Sequence, residues 1–177
     1  MAGQARIKRV LRDLATVLEG LVVQTITLMN DGASLNDIIH TVKPPEDLMK
    51  RPYLRPVYDE PEFVVRNVWR LYGGWYDGNP AHLKPSPDAT FAAEVARLAG
   101  GADKLAARAA ALADSDPRLA CELAEMAGQA APEDADVHAA RAEVYGKRRD
   151  AELSLMAKGI YASAAAESEK KLQSAVR

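Results

Sequence analysis

Gly73-Gly74-Trp75-Tyr76-Asp77-Gly78-Asn79-Pro80-Ala81 is the stretch from which the rest of this chain is read. Its nine residues hold three glycines, two large aromatics, an acid and an Asn-Pro step. Glycine opens backbone conformations closed to other residues, and a residue before proline is pushed out of the helical region. The stretch is therefore a sharply folded loop that carries aromatic surface. It sits between two segments patterned as helices.

On its N-terminal side, a helix opening at Pro61 carries Phe63, Val64, Val68, Trp69, Leu71 and Tyr72. Proline stands in its favoured first-turn place and Asp59 is placed to cap. On the other side, Ser86-Pro87 repeats the cap-plus-proline signal for a helix ending at Gly100-Gly101. Both glycine pairs follow helices, so they read as C-caps rather than as phosphate-cradling loops, which follow a strand and open a helix.

Further out the chain stays helical. Ile7, Val10, Leu11, Leu14, Val17, Leu18 and Leu21 form a wide apolar stripe on a helix running from Gln4 to Met29. At 1.5 Å per residue that helix is roughly 39 Å long. Its second half, Leu21 to Met29, carries no charge on any face, so it must be covered on all sides. Ser34 caps a short helix to Val42, with Asp37 in the reciprocal position, and Pro44-Pro45 stop it. Residues 46–58 read as an irregular connection with one helical turn.

From Ala102 onward aromatics nearly vanish and alanine dominates. Ala102–Ala113, Pro117–Ala130 and Ala135–Arg148 read as short helices, spaced like about one and a half tetratricopeptide repeats. A last helix, 150–176, is bent at Gly159, with Leu153, Met156, Ile160 and Ala164 as its apolar stripe and a solvated end at Glu167–Lys171. The expected fold is all-α. It is a single domain over 1–177, a multi-helix bundle made of a long N-terminal helix (1–32), aromatic-rich helices and loop (33–101) and alanine-rich hairpins (102–177).

Several function classes are excluded or weakened. A net charge of −2 and a pI of about 6.0 argue against a nucleic-acid binder. The 48% of hydrophobic residues suffices for a true core and is too high for a disordered chain. No apolar run is long enough to span a bilayer, and Arg12, Asp13 and Glu19 break the secretory pattern. Cys121 is the one cysteine, set among alanines as a packing residue. The expected location is cytoplasmic. His40, His82 and His138 lie on three elements without the close pair typical of zinc sites, and read as surface or half-buried side chains. Asp59, Glu60, Glu62 and Asp77 surround the aromatic helix, yet capping, helix dipole and turn geometry account for each. Trp69, Tyr72, Trp75 and Tyr76 line a pocket or fill a core, and the loop position of Trp75 and Tyr76 adds an interface, where aromatics are enriched.

Met29-Asn30-Asp31-Gly32, Val65-Arg66-Asn67-Val68, the run Tyr72–Ala81 and Ala99-Gly100-Gly101-Ala102-Asp103, in that order, resemble the alkyl sulfatase dimerisation domain. Ser154–Tyr161 also suits the C-terminal helices of that family. The resemblance implies an all-helical module that pairs two subunits of a metallo-β-lactamase-superfamily hydrolase acting on sulfate esters of fatty alcohols. In that family the zinc ligands form an H-x-H-x-D-H motif in a separate domain. The motif is absent from this sequence. The resemblance thus implies no cofactor and no catalytic residue in this chain, with zinc expected only in the parent's catalytic domain. The implied partners are a second copy of the chain and a metallo-β-lactamase-type catalytic domain, in cis or in trans. Arg66-Asn67 stands where members commonly have His-Asn, which leaves the parent's substrate open.

The charge-free half of the first helix nominates Leu14, Val17, Leu18, Leu21, Val22, Ile26 and Leu28 for the dimer interface. Trp75, Tyr76, Asp77 and Asn79 are the loop candidates facing the catalytic domain, against the alternative of a loop held for its turn geometry alone. The competing function is a tetratricopeptide-like scaffold that binds a partner protein through 102–148. An open groove along those helices would favour it; a groove closed by alanines would not.

Overall fold

The computed structural model describes residues 3–175, all helix, turn and loop. It divides into two compact units, Met1–Lys84 and Pro85–Arg177.

The first unit is built on α1 (Gln4–Asn30), α2 (Leu35–Thr41), α3 (Glu46–Met49) and α4 (Pro61–Gly73), with a 3₁₀ turn at Pro52–Leu54. Its core joins Val17 and Leu21 of α1 to Ile38, Ile39 and Val42, to Leu48 and Leu54, and to Val65 of α4. Full burial of such side chains stabilises by about 1.5–3 kcal/mol each. Polar pairs fix how α1 lies on this core. Asp13 is buried beside Arg51 and accepts a 2.6 Å hydrogen bond from the Tyr53 hydroxyl. Gln24 donates to the Lys43 carbonyl at 3.1 Å. The buried Thr25 hydroxyl donates to the Leu21 carbonyl at 2.7 Å, which satisfies it inside the core. The Ser34–Asp37 capping box forms as its spacing predicts.

The second unit comprises α5 (Asp88–Ala99), α6 (Ala102–Leu112), α7 (Pro117–Ala130), α8 (Ala135–Ala151) and α9 (Leu155–Ala175). Its interior is mostly methyl groups. Ala96, Ala106 and Ala127 pack with Leu105 and Val137, and Ala109, Ala113, Ala120 and Ala124 with Val144. Each alanine removes little apolar surface from water, so cohesion here relies on close helix approach and on a buried polar network. Arg141 of α8 donates to Glu125 of α7 at 2.9 and 3.1 Å, and to the Ala164 carbonyl and Ser168 hydroxyl of α9. The Tyr145 ring lies 5.1 Å from its guanidinium carbon. Gly128 of α7 leaves room for the arginine stem, since a Cβ there would sit 2.9 Å from Arg141 Cδ.

Several local expectations are corrected. Glu60, not Asp59, takes the N-cap of α4, while Asp59 accepts from the Glu60 amide. α5 starts at Asp88, with Pro87 rather than Ser86 at its N-cap. α8 runs on to Ala151, and the break before the last helix falls at residues 152–154, with Gly159 inside α9. Leu153, Met156 and Ile160 are exposed; Ser154, Ala157, Ala165 and Ser168 face inward instead. At Ser168 the reason lies on α8, whose inner face offers His138 and Arg141: serine can pair with these and leucine cannot. His138 is buried, with Ser168 and the Pro132 carbonyl on its two ring nitrogens. Val176, assigned to the last helix by pattern, lies outside the described residues.

Candidate functional site

Two surfaces of the first unit stand out. One is the outer face of α1. Val17 and Leu21 are buried in the chain's own core, and Val22, Ile26 and Leu28 are half-buried. Leu14 and Leu18 are exposed, and the exposed surface continues through Leu11 (60% accessible) and Ile7 toward the N-terminus. In the charge-free half, Val23 is 63% accessible. The interface candidates thus divide between an inward and an outward stripe. Ile7 and Leu11 were not among them, although their spacing to Leu14 and Leu18 was the available signal. Beside Leu14 and Leu18 lies an open groove of about 300 Å³, walled by Met49, Tyr53, Leu54, Pro56, Pro61 and Val64, with Arg55, Asp59 and Glu60 at the same wall.

The other surface is the loop after α4. Gly74 ends the helix at φ 81°, a conformation that favours glycine. The Trp69 indole N–H donates to the Tyr76 carbonyl at 3.1 Å, and the Leu35 amide to the Asp77 carbonyl at 3.0 Å. These bonds stitch the loop to α4 and to the start of α2. Trp75 remains 75% accessible, with its ring edge-on to Tyr76 at 6.0 Å. Asp77, Asn79 and His82 come together. His82 Nδ1 lies 2.5 Å from the Asp77 carboxylate and Asn79 Nδ2 lies 3.2 Å from His82 Nε2. The His82 contact and the Asn79 amide hold the Asp77 carboxyl below the usual range. An Asp–His pair of this kind can orient a general base. Here the second imidazole nitrogen is engaged by Asn79, so the triad clasps its own loop. The clasp forms one wall of a polar recess of about 530 Å³ that also takes in Ser34, Asn36 and Arg66.

Elsewhere the chemistry is quiet. Burial pushes the half-buried Cys121 thiol upward, away from a reactive thiolate. Among the described residues, no group of three or more His, Cys, Asp or Glu side chains could hold a metal ion. Nor is any described helix long and apolar enough to cross a membrane. Ala106, Ala109, Ala120, Ala124 and Ala127 are buried, which closes the space between the repeat-like helices that a scaffold would keep open.

Residues 34–171, most of the chain, match the family described as alkyl sulfatase dimerisation. The chain belongs to the alkyl sulfatase dimerisation family. A linear primary-alkylsulfatase of Pseudomonas sp. is 30% identical over 98% of this chain and 33% of its own length. An alkyl/aryl-sulfatase of Saccharomyces cerevisiae is 36% identical over 60% of this chain and 17% of its own. Among solved structures, the stereoselective inverting sec-alkylsulfatase Pisa1 from Pseudomonas sp. superposes with a TM-score of 0.85 at 28% identity, over 95% of this chain and 27% of that one. This alkyl sulfatase dimerisation chain therefore spans about a third or less of the relatives it matches. Its α1 precedes the 34–171 match, while the full-length similarity to the Pseudomonas enzyme and the Pisa1 superposition both reach into it.

Proposed function

We propose that the chain pairs two subunits of a zinc-dependent hydrolase of sulfuric esters, and that it does so through the outer face of α1. The observation that carries this reading is the row of large apolar side chains exposed on α1 in a family named for dimerisation. Ile7, Leu11, Leu14 and Leu18 are all exposed along one face of α1, and a contiguous apolar patch of this kind marks an interaction site. Isologous two-fold pairing is the commonest way to cover such a face. Light scattering on the 177-residue chain tests this: self-association at micromolar concentration supports it, and monomer mass alone removes it.

The catalytic domain is of the metallo-β-lactamase type and carries the zinc, in cis or in trans. The loop at Trp75, Tyr76, Asp77 and Asn79 faces that domain and borders its substrate entrance. Support comes from the accessible Trp75 ring and from the hydrogen bonds that hold the loop rigid, as a docking element requires. Trp75→Ala in the full-length enzyme should raise KM or lower kcat; unchanged values would leave the loop a structural role only. The assembly works in the cytoplasm.

A further inference from the structure

Resting on the dimerisation reading, we infer that the two copies pair antiparallel along Ile7, Leu11, Leu14 and Leu18, each N-terminal half of α1 seated in the groove of the other. The outward residues follow a 4-3-4 spacing, and Leu21, Thr25 and Leu28 continue it at 3-4-3. Such a repeat is the seam of two helices packed side by side. From Leu21 onward this seam runs into the chain's own core, where Leu21 and Thr25 are buried. From Ile7 to Leu18, roughly 17 Å of helix, it stays exposed, with Leu14 and Leu18 bordering the groove.

The two flanks of this seam differ. One carries Lys8, Arg12, Ala15 and Glu19, all exposed. The other carries Asp13 and Val17, buried by the chain's own 49–64 segment. A parallel pair would press each open flank against the other's occupied flank. An antiparallel pair sets open flank to open flank and staggers the two 49–64 segments at opposite ends. With the centre of symmetry between Leu11 and Leu14, Ile7 falls opposite the partner subunit's Leu18 and Leu11 opposite the partner subunit's Leu14. Ile7 and Leu11 then enter the groove beside Leu14 and Leu18.

Charge agrees with this direction. Lys8 comes within reach of the partner subunit's Glu19, twice by symmetry. The N-terminal half carries Arg6, Lys8, Arg9 and Arg12, and the groove wall carries Asp59 and Glu60 beside a single Arg55. Salt bridges at exposed positions add little affinity, so their part is to set orientation. Affinity comes from the leucines.

Cross-linking distinguishes the arrangements. In a Cys121→Ser background, Ile7→Cys and Leu18→Cys chains are prepared separately and then mixed under mild oxidation. Antiparallel pairing gives a disulfide dimer from the mixture and none from Ile7→Cys alone, because a disulfide needs Cα atoms within about 7 Å and the two Ile7 positions lie far apart. Covalent dimer from Ile7→Cys alone means parallel pairing and overturns the inference. No cross-link in a sample that light scattering shows to be dimeric also overturns it, and leaves dimerisation standing through another face. Monomer mass in every sample takes down the dimerisation reading itself. As a control on the register, Glu19→Lys should raise the self-dissociation constant roughly threefold to tenfold, and adding Lys8→Glu in the same chain should restore it. Failure of that rescue removes the register.

Discussion

Asp13 shows how one polar residue sets the position of a long helix. Its carboxylate is buried on α1, and the Tyr53 hydroxyl, with Arg51 beside it, holds its pKa below the ordinary value near 3.8. A carboxyl depressed in the folded state stabilises above its unfolded pKa, and that stability is lost as pH falls through the folded value. Melting temperature should therefore drop below about pH 4 more steeply for the native chain than for Asp13→Asn. Parallel acid limbs for the two proteins would show that the pair adds nothing. Gly128 presents a different balance. Alanine there gains up to about 1 kcal/mol of helix propensity, but its Cβ would meet Arg141 Cδ at 2.9 Å. Overpacking costs about 1–3 kcal/mol, and Arg141 is tied to four side-chain or carbonyl partners and cannot swing away. Gly128→Ala should lower the melting temperature by several degrees; a rise would mean that the arginine moves freely.

Elements whose signal is local were legible in the sequence. The Ser34–Asp37 box, the proline-led starts of α4 and α7 and the glycine stops after α4 and α5 follow from residues within one turn. Ser34→Ala should cost about 1 kcal/mol in thermal or denaturant unfolding, and a change within error would mean that the bond from the Leu35 amide to the Asp77 carbonyl suffices alone. What escaped the sequence were choices made by distant partners. α9 turns Ser168 inward, where Arg141 and His138 pair with it, and the Leu153, Met156 and Ile160 stripe, which pattern alone would bury, faces water. On α1 two apolar stripes lie side by side, and periodicity does not say which one the chain itself covers. The loop clasp needed His82, five residues beyond Asp77, whose role depends on how the 3₁₀ turn at Pro80–His82 folds back.

At the scale of the molecule, two units of unlike texture share one chain. The first has a core of branched aliphatics; the second has a core of alanines and a buried polar network, and both leave apolar side chains outward. An oligomer that forms only from folded chains is stabilised by mass action. Unfolding of the first unit should then shift to higher temperature as protein concentration rises, and a midpoint independent of concentration would argue for a monomer. Leu11→Asp places a charge in the proposed seam without touching the core. It should abolish that dependence while leaving helical content unchanged. Unaltered concentration dependence would move the contact elsewhere.

A second copy of the chain covers the outer face of α1 in the proposed dimer. Sedimentation equilibrium or light scattering on the purified chain between about 1 and 100 μM, the range in which interfaces of ordinary size associate, reads it directly. The account predicts twice the 19.1 kDa chain mass, falling to the single value on Leu11→Asp. A mass of 19.1 kDa across the whole range, with native circular dichroism, would contradict it.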